Sequence, residues 1–148
     1  MMPHPPGLPV VRICKSCNAG FAPDEEYLAA FLGAVVSGST DPDRQVAPTA
    51  AAILRGNARL RREIDGARRD YVMLGGAIRQ IWTPVQERVD RVVIKNARGH
   101  AFFEQDLVDG WVVVQEGVYR YAVSRGEDGL SVRIVISEYL ATEVVWSD

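Results

Sequence analysis

At Trp111 the sequence changes its apolar period, and that switch limits the possible folds more than any other feature. Before it, apolar residues recur at helical spacing, as in Tyr27, Leu28, Phe31, Leu32 and Val35. After it come β-branched and aromatic runs at Trp111–Val114, Tyr119–Val123, Val132–Ile136 and Glu143–Trp146. Glu116-Gly117 and Arg125-Gly126-Glu127-Asp128-Gly129 punctuate these runs as turns. A helical first half meeting an antiparallel sheet of three or four strands is an α+β fold.

The helical half divides further. Pro23-Asp24-Glu25-Glu26 reads as a helix start with Asp24 as N-cap, and Ser37 to Pro42 ends that helix. A second helix is expected over Ala50–Arg55 and a third from Ala58 to about Arg69, burying Leu60 and Ile64. Residues 72–82 read as extended. Thr83 is expected to cap the longest helix, from Pro84 to about Glu104, with Val85, Val89, Val92, Val93 and Ala97 as its buried stripe. Trp111, Trp146, Tyr119 and Tyr121 are most simply core or cross-strand residues. With no repeat and no low-complexity linker, residues 1–148 read as a single domain. Its parts are a proline-rich arm and partial knuckle over 1–23, a mainly helical part over 24–105, and strands over 111–147.

The 148 residues suffice for one core, and 47% apolar with 24% charged residues is ordinary globular composition. A net charge of −2 gives no global field toward nucleic acid or anionic lipid. The first residues lack a signal-peptide pattern, and the longest apolar run, Tyr27 to Val36, is short of the ~20 residues of a membrane span. The expectation is a cytoplasmic protein with no membrane partner.

Chemistry concentrates at Cys14-Lys15-Ser16-Cys17-Asn18-Ala19-Gly20, read as a tight turn. Two thiolates at this spacing reach one tetrahedral Zn²⁺, and a closed structural site needs two further ligands. His4 and His100 are the other soft ligands, so a zinc site would draw on both. A free cysteine pair is the equal alternative, with Asn18 a turn-forming residue, His4 a surface histidine and His100 a partly buried, hydrogen-bonded one.

Residues Cys14 to Phe21, running into Asp24-Glu25-Glu26-Tyr27-Leu28, resemble the second half of bacterial HNH endonuclease domains. Residues 91–99 and 111–121 are similar to the tail of such proteins. The resemblance implies a ββα-metal, treble-clef knuckle in which Cys14 and Cys17 are a zinc pair and Asn18 helps hold a catalytic Mg²⁺ or Mn²⁺. It implies metal-dependent phosphodiester hydrolysis, with His4 as the base, the one upstream histidine. The family's first cysteine pair would precede this sequence, so an HNH domain without its front half is expected, inactive if truncated. The alternative is a non-catalytic accessory module that keeps the fold and binds nucleic acid or protein.

For DNA or RNA as partner, Arg88, Arg91, Lys95 and Arg98 share one helical face by their spacing. Together with Arg59, Arg61, Arg62, Arg68 and Arg69 they suit a phosphate backbone; Glu63, Asp65, Glu87 and Asp90 make a solvated, ion-paired face the competing reading.

Overall fold

A computed structural model describes residues 15–103, 110–127 and 129–147. The elements are α1 (Lys15–Ser37), a short 3₁₀ turn (Pro42–Arg44), α2 (Pro48–Gly56), α3 (Ala58–Gly66), β1 (Arg68–Val72), β2 (Ile78–Trp82), α4 (Gln86–Phe103), β3 (Val112–Gln115), β4 (Tyr119–Gly126), β5 (Gly129–Ile136) and β6 (Leu140–Trp146). The α+β class and the C-terminal antiparallel sheet follow the expectation, the sheet having four strands in the order β3-β4-β5-β6. Two compact units emerge: Asn18–Val92, and the described residues of Met1–Cys17 and Val93–Asp148. The division falls inside α1 and α4, where no linker composition marks it.

In the first unit α1 buries Asp24, Tyr27, Leu28, Ala30, Phe31 and Ala34, a stripe at helical spacing. Tyr27 stacks on Phe31 with centroids 5.7 Å apart, and Trp82 meets Phe31 edge-on at 6.5 Å. Each such aromatic contributes on the order of 1.5–3 kcal/mol by leaving water. Gly33 lies so close to α2 that a Cβ there would run into the Ala50 side chain. Between the two helices, the Gln45 Nε2 donates to the carbonyls of Ser39 (2.6 Å) and Asp41 (2.9 Å). α3 buries Leu60 and Ile64 as expected, and Asn57 caps it by accepting from Leu60 N–H at 3.0 Å.

The second unit packs Ala97 of α4 with Tyr121, Val123, Val132 and Ile134 on one face of the sheet, and Val112, Val144 and Trp146 join them. Register fixes which residues share that face: Tyr121 pairs with Ile134 and Val123 with Val132. Gly129, at φ 120°, lets the chain pass close to the Trp146 carbonyl.

Several expectations need correction. Lys15–Gly20 is not a tight turn but the opening of α1, which runs through Pro23 instead of starting there. Adding turns to an existing helix avoids the nucleation cost, although Pro23 removes the bond that the Ala19 carbonyl would accept and crowds that carbonyl. At 23 residues α1 is longer than α4, which has 18. α4 begins at Gln86 rather than Pro84, because Thr83 N–H is drawn to the Ala67 carbonyl (3.2 Å) at the base of the β1–β2 pair. Val85 therefore precedes the helix and is exposed rather than part of its stripe; Val89, Val92, Val93 and Ala97 are buried. α3 stops at Gly66, and Arg68 and Arg69 belong to β1. The stretch read as extended is a hairpin, closed by Gly75 and Gly76 at φ 105° and 86°. Trp111 is not core: it is 41% exposed, with the Arg120 and Arg133 guanidiniums 4.6 and 5.5 Å from its ring.

Candidate functional site

Among the described residues the densest charge cluster centres on Asp24, which α1 buries beside the N-terminal part of α4. Arg88 Nε donates to its Oδ1 at 2.9 Å and Arg91 Nε to its Oδ2 at 2.7 Å. Arg88 also donates to the Pro23 carbonyl (3.0 Å), pairs with Glu63 (3.4 Å) and lies over the Tyr27 ring at 4.3 Å. The Arg91 hydrogen bond, with help from Arg88 and against the pull of burial, holds the Asp24 carboxyl below its usual range. This carboxylate-bridged pair of guanidiniums anchors α4 to α1.

Two of the four arginine-face residues are thus committed internally. Of the others, Lys95 is half-buried on α4 and Arg98 is exposed. Arg59, Arg61 and Arg62 behave differently: all three are exposed on α3, and among the described residues none has an ion pair or side-chain hydrogen bond. Leu60 and Ile64 force this, since burying them turns Arg61 and Arg62 between them, and Arg59 just before them, outward. Beside them Pro23, Glu26, Asn57, Arg59, Leu60, Glu63 and Arg88 line a shallow hollow of about 230 Å³.

Of the residues the HNH resemblance singled out, His4 and Cys14 lie outside the described residues. Cys17 and Asn18 are on α1, with their side chains outside that description. His100 is half-buried; its Nε2 shares a 2.6 Å hydrogen bond with the Tyr119 hydroxyl, and its ring stacks on Tyr121 at 3.7 Å. Burial raises the Tyr119 hydroxyl well above the ordinary tyrosine range, so it remains protonated. Among the described residues no three His, Cys, Asp or Glu side chains gather as a metal site. No helix among them is long and apolar enough to cross a membrane.

Sequence reasoning missed Tyr71 and Arg79, which the hairpin brings side by side. The signal was present in Gly75-Gly76 between two β-prone runs, since glycine supplies the positive φ that a short hairpin loop needs, here the loop between Met73 and Ala77. No protein-family model, curated protein or solved structure matches the chain.

Proposed function

We propose that this chain is a module that binds nucleic acid through the arginines of α3 and the β1–β2 hairpin. The observation that supports it is a concentration of unspent positive charge. Residues 55–79 hold seven arginines against Glu63, Asp65 and Asp70, in a chain whose net charge is −2. Arg55 pairs with Asp43 and Arg68 with Asp70, whereas Arg59, Arg61, Arg62 and Arg79 have no partner among the described residues. Arginines without internal partners keep all five N–H donors for phosphate oxygens. The test is fluorescence anisotropy of the whole chain with a labelled duplex at low salt. Replacing Arg59, Arg61 and Arg62 together by alanine should weaken binding by about tenfold or more. These side chains touch nothing inside, so the fold should lose no more than ~0.5 kcal/mol per site. Unchanged affinity in the triple variant counts against the reading.

The second reading, an HNH-type endonuclease, has its support in the resemblance of Cys14–Leu28. Zinc content of protein purified without chelators bears on it first. About one zinc per chain, lost together with thermal stability in Cys14→Ser, favours a completed knuckle. Cleavage assays with Mg²⁺ or Mn²⁺ then separate catalysis from binding. No zinc, and an unchanged melting temperature in Cys14→Ser, count against it.

A further inference from the structure

We propose that one face of the β1–β2 ribbon enters the major groove of duplex DNA; this rests on the nucleic-acid-binding reading and names its partner. Cross-strand register sets the faces. Arg69 is opposite Ile81 and Tyr71 is opposite Arg79, so these four side chains share one face. Arg68, Asp70, Gln80 and Trp82 share the other. The first face therefore carries two guanidiniums and no carboxylate, while the ribbon's single acid points the opposite way. That is the charge pattern a groove flanked by phosphates selects.

The surroundings leave this face open. Tyr71 and Ile81 are 43% and 48% exposed, and Arg69 and Arg79 are exposed as well. Arg69 donates to the Gly66 and Arg68 carbonyls at 2.9 and 3.0 Å, which steadies it at the ribbon's base. Arg79 has no partner among the described residues. Among the described residues this sheet has two strands, and each has an outer edge that no described strand pairs.

Dimensions agree with the chemistry. Two strands about 4.8 Å apart, each spanning roughly 17 Å, make a ribbon that a major groove about 12 Å wide admits. Arg79 would then present its fork to the O6 and N7 of a guanine, while Tyr71 and Ile81 offer apolar contact to a thymine methyl. The tip, Val72 to Ile78, has no charged residue and adds no repulsion from phosphate. A-form RNA is a poor host, because its major groove is too narrow for a ribbon.

The experiment compares whole-chain binding to a labelled DNA duplex, the single strand and an RNA duplex of the same sequence. It uses the wild type, Arg79→Ala, Arg79→Lys, Tyr71→Ala and the α3 triple variant. Sedimentation velocity on each protein follows self-association. The inference expects preference for duplex DNA and about a tenfold or greater loss in Arg79→Ala. Arg79→Lys should remain weakened, since lysine keeps the charge and loses the fork. If the α3 triple variant loses affinity while the ribbon variants bind as wild type, the ribbon inference is overturned and the module reading stands. If the wild type binds no nucleic acid, both fall. If the ribbon variants instead dissolve a dimer and leave DNA binding unchanged, the ribbon is a contact between two copies and the inference is overturned.

Discussion

Asp24 shows at the scale of one residue how this chain manages buried charge. A carboxylate with 9% of its side chain exposed would be costly alone, and two guanidiniums make it a gain. Arg91 makes the contact that lowers the carboxyl most, but it is half exposed and screened by water, so its share of the stability is smaller than that contact suggests. Asp24→Asn should cost about 1–3 kcal/mol, seen as a lower melting temperature at neutral pH. Its folded-state pKa lies below the ordinary aspartate range, so the charge contributes stability above the unfolded value and loses it as pH falls through the folded one. The melting gap between wild type and Asp24→Asn should therefore close below about pH 4. A gap unchanged at pH 3 would refute this account. Gly33 poses the opposite problem. Alanine there gains up to ~1 kcal/mol of helix propensity, but its methyl meets the Ala50 side chain. Overpacking of about 1–3 kcal/mol should prevail, so Gly33→Ala is expected to melt lower, whereas Gly66→Ala, with open space around it, should not suffer from crowding.

Among elements, α4 shows how a helix start is set from a distance. Val85 supplies the first acceptor, to Arg88 N–H at 3.0 Å and Val89 N–H at 3.3 Å, while its own N–H is taken by the Tyr27 hydroxyl at 2.8 Å. Tyr27→Phe leaves that donor without its partner at no change in ring packing. It should cost about 1 kcal/mol and speed amide exchange in the first turn of α4, measurable by hydrogen exchange. Unchanged exchange there would mean that water replaces the hydroxyl. This cap also explains why the helix start was illegible in sequence. Thr83-Pro84 is a strong local signal, but the Ala67 carbonyl and Tyr27, distant in sequence, determine where helix begins. The buried stripes were legible because burial follows period: Leu60 and Ile64 on α3, and Val89, Val92, Val93 and Ala97 on α4, are buried where spacing places them. The opening of α1 was not, since Ser16, Cys17, Asn18 and Gly20 all favour turns and only propagation from the buried turns beyond carries the helix through them.

For the molecule as a whole, the distribution of charge matters more than its sum. The chain has 17 basic and 19 acidic residues, and 55–79 takes seven of the first and three of the second. The rest is left with a marked acidic excess, so long-range attraction to nucleic acid is weak and binding must be won at contact. Arg59, Arg61, Arg62, Arg68 and Arg69 were legible individually, and Arg79 was not. Their division into spent and unspent was not legible either, because it depends on pairs that the fold makes, Arg55 with Asp43 and Arg68 with Asp70, while Arg59, Arg61, Arg62 and Arg79 are left without partners among the described residues. That division separates two kinds of contact by salt. If Arg59, Arg61 and Arg62 each neutralise one phosphate, the slope of log affinity against log salt should flatten by about 2.7 in their triple alanine variant, at ~0.9 per phosphate. Arg79→Ala, removing a contact to a base edge, should lower affinity for the preferred duplex while changing the slope by much less than the ~0.9 of a lost phosphate contact. A salt titration of the three proteins on one duplex decides it. A flattening of about 0.9 in Arg79→Ala would place Arg79 on the phosphate backbone, and a slope unmoved by the triple variant would remove α3 from the interface.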